Sequence, residues 1–169
     1  MIAGANYALG ALIAFGVGDF IYKQAMRANV RPAHFLAGLA WIFNSIIFLY
    51  AFLTGALTPS LAALWGCLAG LAVFIGQHQF LKSLELGPVS IATPIFRLNF
   101  VVTAILGIVI LLEPLTTLKI VSFLLAIVAT WLLIPGVGDR AQSVKRTYFL
   151  HLAIAALTMG SGSFFQKLG

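Results

Sequence analysis

Six long apolar stretches, separated by short polar or Gly/Pro-containing breaks, organise the chain. They lie at about 3–22, 34–54, 61–81, 90–112, 118–135 and 148–168. Each approaches the roughly 20 residues that an α-helix needs to cross the hydrocarbon core of a bilayer. The breaks are as expected for turns: Lys23 to Pro32, Gly55 to Ser60, Lys82 to Pro88, Glu113 to Thr117, and Pro135 to Thr147. Connections this short return each helix beside its predecessor, so the pattern predicts an all-α polytopic membrane protein, an antiparallel bundle of transmembrane helices.

Composition narrows the class. The chain is 62% hydrophobic and 8% charged, with mean hydropathy +1.07. A water-soluble domain of this size cannot hide that much apolar surface. The net charge of +6 does not indicate nucleic acid, because no Lys/Arg cluster occupies a polar face large enough for a duplex. Its distribution fits a membrane instead. Lys23, Arg27, Arg31, Lys82, Arg140, Lys145 and Arg146 fall at odd-numbered connections, against Lys119 and Lys167 at the other end. The positive-inside rule then makes the odd connections cytoplasmic and puts Met1 outside. Cys67 is the single cysteine, which excludes an internal disulfide or a cysteine zinc site.

A repeat joins the ends of the first and sixth stretches. Gly16-Val17-Gly18-Asp19-Phe20-Ile21-Tyr22-Lys23 matches Gly160-Ser161-Gly162-Ser163-Phe164-Phe165-Gln166-Lys167, with two glycines, a Phe and a Lys in register. Four whole segments lie between the two helices that carry the copies, so the copies run in opposite directions, as in inverted-topology repeats of transporters. A second unit at the same spacing predicts an intact protein of roughly 290 residues with ten helices.

The residues Gly16 to Lys23, the run Leu84-Glu85-Leu86-Gly87-Pro88-Val89-Ser90-Ile91-Ala92-Thr93-Pro94-Ile95, and the tail Leu111-Leu112-Glu113-Pro114-Leu115-Thr116 resemble the EamA-like transporters of the drug/metabolite transporter superfamily. The resemblance covers one five-helix unit, 3–135, then a basic cytoplasmic connection at 136–147 and, at 148–169, the first helix of an inverted second repeat. It implies a secondary transporter of the inner or plasma membrane that moves a small organic metabolite or drug by alternating access, with a central cavity between two halves. Members are often drawn with both termini in the cytoplasm, opposite to the charge tally here. Asp19 and Arg97 depart from the small or apolar residues associated with those positions, so the resemblance does not carry over a substrate.

The polar residues within the spans are the candidate site. Asp19, Asn44, Gln77, His78, Arg97 and Asn99 all fall in the half of the bundle where the first and third helices end and the second and fourth begin. Asp19 and Arg97 come out at similar depth, roughly 6–12 Å from the helix ends at 1.5 Å per residue, which permits an ion pair. Arg97, Asn44, Gln77, His78 and Asn99 are the expected substrate pathway, with Asp19 as charge partner or proton site. Each also has a plainer reading. Asp19 has Lys23 four residues on as a helix-surface partner. Arg97 snorkels or balances Asp19. Gln77 shares a small-residue stripe with Gly66, Gly70 and Val73 and joins helices there. Asn44 is an interhelical hydrogen-bonding residue, and His78 a structural one. Pro94 removes a backbone donor, freeing a carbonyl near Ser90, and predicts a kink. Glu113 and Pro114 form a helix-end device at the interface. Tyr7, Trp41, Tyr50, Trp65, Trp131 and Tyr148 read as interfacial anchors or lipid-facing bulk.

No nucleophile elbow, metal box or phosphate loop occurs, so neither an enzyme nor a cofactor or metal is expected. The expected partners are a small-molecule solute, membrane lipid and, for some mechanisms, a coupling ion or a second copy. Two other classes remain: a non-transporting membrane scaffold, and a half-size multidrug transporter working as an antiparallel dimer.

Overall fold

The computed structural model describes residues 2–56, 60–133 and 146–169. The expected connection at 136–147 therefore lies almost wholly outside the described residues. The helices are α1 (Ile2–Arg27), α2 (Pro32–Leu53), α3 (Leu61–Leu86), α4 (Val89–Arg97), α5 (Asn99–Ile110), α6 (Thr117–Leu133) and α7 (Arg146–Leu168). The protein is an all-α polytopic membrane protein. Among the described residues, Pro32–Leu53, Leu61–Leu86, Val89–Ile110 and Arg146–Leu168 are each long and apolar enough to cross a membrane.

The fourth predicted span is two helices in line, α4 and α5, meeting at Leu98. The break falls one turn beyond Pro94. There the backbone tightens: Leu98 N–H bonds to Ile95 O at 3.1 Å and Val101 N–H to Leu98 O at 2.9 Å, the i to i−3 spacing of a 3₁₀ turn. Asn99 Nδ2 donates to Phe96 O at 2.8 Å, which supplies a donor to a carbonyl beside the break. Proline and this side-chain bond are identifiable causes of a kink.

The core is the contact of α3 with α7. The two run antiparallel along their lengths, with Gly169 over Ala62 and Trp65, Gly162 over Ala69 and Val73, and Gly76 over Ala155, Thr158 and Met159. Small residues let two backbones approach, and close packing drives helix association in lipid. The small-residue face overlaps the one the sequence suggests only at Val73. A Cβ added to Gly66 or Gly70 would meet nothing within 4 Å, whereas Ala69, Val73 and Gly76 meet α7. The stripe is displaced around the helix because α3 is apolar on every side, so several stripes carry small residues.

α5 joins the core through Gly160, where an added Cβ would sit 2.5 Å from Asn99 O and 2.6 Å from Val102 Cβ. At one end of the bundle, Tyr148 is fully buried and its hydroxyl donates to Pro88 O at 2.9 Å. Its ring presses on Gly87, where a Cβ would stand 2.5 Å from it. Tyr148 is thus an interhelical residue and not the interfacial anchor expected. Lys23 donates to Gly87 O at 2.9 Å and to Leu84 O, so α1 and α7 both hold the α3–α4 turn. The opposite end is tied by Glu113, which accepts from Lys119 at 3.1 Å and from Lys167. The first and third connections and the start of α7 gather at one end, and the α5–α6 turn and the end of α7 at the other. That is the alternation the six apolar stretches predict.

Candidate functional site

Asp19 comes from α1 at a point where few of that helix's residues are covered: it is 6% exposed while Phe20 beside it is 62% exposed. The carboxylate turns inward to Arg97 at the end of α4, and Arg97 donates to Asp19 Oδ2 at 2.9 Å. Two charges in a nonpolar surround attract strongly because little water screens them, and each also offsets the other's desolvation. The Arg97 guanidinium lies 4.5 Å from the centroid of the Phe15 ring and 5.8 Å from that of Phe96, within cation–π range. Phe96 in turn stacks on Phe80 at 4.2 Å, which fixes it against α3. The ion pair that helix direction and depth permit is formed. The plainer pairing of Asp19 with Lys23 is not, since Lys23 is bound to the α3–α4 turn.

The pair lines a cavity of about 560 Å³, within the range of small-molecule sites. Gln77 of α3, Asn99 of α5, and Met159 and Ser163 of α7 reach the same cavity. Gln77 Oε1 is itself buried, with no hydrogen-bond partner among the described residues. Tyr22, Leu39, Phe43 and Gln77 also bound an adjoining hollow of about 310 Å³, which Asn44 lines. A second hollow of about 590 Å³ lies between α1 and α4; Phe15, Asp19 and Arg97 line both. Thr93 borders this one, its Oγ1 buried and without a hydrogen-bond partner among the described residues. The Asp19–Arg97 pair therefore borders two hollows.

The predicted site residues divide accordingly. Asp19, Gln77, Arg97 and Asn99 share one cavity, Asn44 lies next door, and Pro94 sits one turn before Arg97 in α4. Asn99 has its amide nitrogen engaged with Phe96 O. His78 lines none of these hollows. Its neighbour Gln79 bonds instead to Nδ1 of His151 at 2.6 Å, joining α3 to α7. Sequence reasoning misses Ser163 as a site residue, although the repeat marks it: it is the counterpart of Asp19, and both line the same cavity. It also misses the Lys167–Glu113 link, the counterpart of Lys23 at the α3–α4 turn.

Apolar spanning helices, an ion pair within them and a small-molecule-sized cavity at that pair define a multi-pass membrane protein with room for a small molecule beside a charge pair. The EamA-like transporter family model matches residues 2–134. The chain belongs to the EamA-like transporter family, which consists of membrane transporters of the drug/metabolite type. Comparisons with curated proteins and with solved structures give no match.

Proposed function

We propose that the protein is a secondary transporter of the inner or plasma membrane that passes a small organic solute through the cavity at Asp19 and Arg97 by alternating access. The observation that carries this is the ion pair bordering two hollows. A charged pair within an apolar bundle is costly unless partners or a wet cavity hold it, and here both partners border two hollows. Arg97 is the residue that engages the solute, since only one of its nitrogens is bound to Asp19 and it makes no other hydrogen bond among the described residues. Gln77 and Ser163 line the path, and Asp19 balances or exchanges charge with the load.

The two copies of the repeat, at 16–23 and 160–167, support the same reading. Asp19 and Ser163 meet at one cavity, while Lys23 and Lys167 tie opposite ends of the bundle. Two end ties around a central site are the parts that alternating access would open in turn.

The test is efflux from proteoliposomes loaded with a mixed pool of small metabolites, read by mass spectrometry. At least one solute leaves through the wild-type protein and stays inside with Arg97→Ala, while the variant inserts and keeps its helix content. If no solute leaves through the wild type, or the same solute leaves the variant at the same rate, the reading is wrong.

A further inference from the structure

The geometry points to α2 as a lid on the cavity: its far half swings onto α3 about a pivot at Phe35 and Leu36, and closes by a hydrogen bond between the side-chain amides of Asn44 and Gln77. A lid of this kind needs no solute to move, so it stands apart from the transporter reading. α2 is held unevenly. Pro32 and Leu36, in its first two turns, are buried, and the Phe35 ring meets Tyr22 of α1 edge-on at 5.7 Å. From Trp41 to Tyr50 every residue is exposed. One end is fixed, and the other half is a free lever.

The surface of α3 beside this lever is shaped to receive it. A hollow of about 310 Å³ is lined by Ala40 and Asn44 of α2 and by Gly70, Val73 and Gln77 of α3. α7 packs on α3 at Ala69 and Gly76, whereas a Cβ on Gly70 would meet nothing within 4 Å. Small residues on both walls permit two helices to approach closely in lipid. The amides say where the approach stops. Gln77 Oε1 is buried without a hydrogen-bond partner among the described residues, and Asn44 is exposed near the middle of an apolar helix. An amide in hydrocarbon is costly until it is paired. Each side-chain amide carries an acceptor and donors, so the two are complementary. The terminal torsion of Gln is broad, which lets the Gln77 amide turn its oxygen toward Asn44 as the helices meet. Closure satisfies both amides and covers Gly70 in one movement.

The same movement changes the cavity. Leu39 and Phe43 of α2 line both this hollow and the one at Asp19 and Arg97. Swinging α2 inward carries these side chains toward the ion pair and narrows its cavity. In the structure α2 stands open.

The test is the distance between spin labels attached through Leu49→Cys in α2 and Leu64→Cys in α3, in a Cys67→Ser background, read by dipolar EPR in lipid nanodiscs. Both positions are exposed and outside the hollow. A population shorter than the open separation is expected. Asn44→Leu or Gln77→Leu lowers the closed-to-open ratio about threefold or more, the worth of an interhelical hydrogen bond in a membrane. Asn44→Gln combined with Gln77→Asn keeps both amides and retains the short population. Gly70→Leu, whose side chain fills the hollow, removes the short population and leaves the open one, which also shows that the fold survives. A single population at the open separation in the otherwise unchanged protein overturns the inference. So does a short population that Gln77→Leu or Gly70→Leu leaves unchanged, and so does its loss in the amide exchange.

Discussion

The two copies of the eight-residue pattern share a sequence outline and differ in what surrounds them. At 160–167 in α7, Gly160 touches α5 and Gly162 touches α3. At 16–23 in α1, Gly16 and Gly18 have nothing within 4 Å. The first copy carries Asp19 where the second carries Ser163, and the cavity lies between them. Lys23 ends on uncharged backbone carbonyls, whereas Lys167 ends on a carboxylate. One copy therefore supplies packing, and the other supplies charge beside open space. A glycine pair in a membrane helix marks a surface shaped for close approach, but only its neighbours decide whether that approach happens.

Substituting the glycines breaks this comparison most directly. Gly160→Leu forces α7 away from Asn99 and Val102 and destabilises the protein by about 1–3 kcal/mol or more, as overpacking against backbone does. Gly16→Ala, at a helical position with free space, changes stability by no more than about 1 kcal/mol, in the stabilising direction. Thermal unfolding in detergent reads both, and equal shifts would contradict the packing difference.

The lysines rank next. Lys23→Met leaves Leu84 O and Gly87 O without their charged donor and costs about 1.5–3 kcal/mol, the usual worth of a hydrogen bond to a charged group. The α3–α4 turn loosens, so proteolysis or hydrogen exchange at Gly87 and Val89 rises more than at the α5–α6 turn. Lys167→Met has the smaller effect, because its partner Glu113 keeps Lys119.

The smallest effect is one of pH, and it singles out the second copy's end of the bundle. Hydrogen bonds from Lys167, and then from Lys119, hold the Glu113 carboxyl below its ordinary value of 4.5. A carboxyl depressed in the folded state stabilises it above the ordinary value, and that contribution is lost as pH falls through the lower folded value. The melting temperature of the wild type therefore drops on acidification below about 4.5 more than that of Glu113→Gln. Parallel drops would mean that the link contributes nothing. The Lys23 tie has no carboxylate, so the α3–α4 turn shows no such dependence.

Much of this is legible in the chain. Six apolar stretches and short breaks fix the helix order, and the charges within them stand out because charge within lipid is costly. Asp19 and Arg97 can be paired from helix direction and depth alone, since both are set by counting residues from the turns. What escapes depends on rotation and reach. A helix apolar all round gives no signal of which side meets lipid, so the sequence points to Gly66, Gly70 and Val73 as the packing face of α3, where Val73 packs together with Ala69 and Gly76. The same ambiguity makes Tyr148 look like an anchor. Lys167 reaches Glu113 from 54 residues further along the chain, a link that spacing does not encode. Pro94 signals the kink, but the break settles at Leu98, where Asn99 can bond back to Phe96.

The central claim is that solute passes through the cavity between the two copies, and Ser163 is the place to block it. Cys67 is exposed, so the measurement uses Ser163→Cys in a Cys67→Ser background, with metabolite efflux from proteoliposomes followed before and after reaction with a small thiol reagent. The account predicts that efflux stops once the thiol has reacted, and that an equivalent thiol at Gly66, outside the cavity, leaves efflux unchanged. Undiminished efflux after complete reaction at position 163 would contradict it.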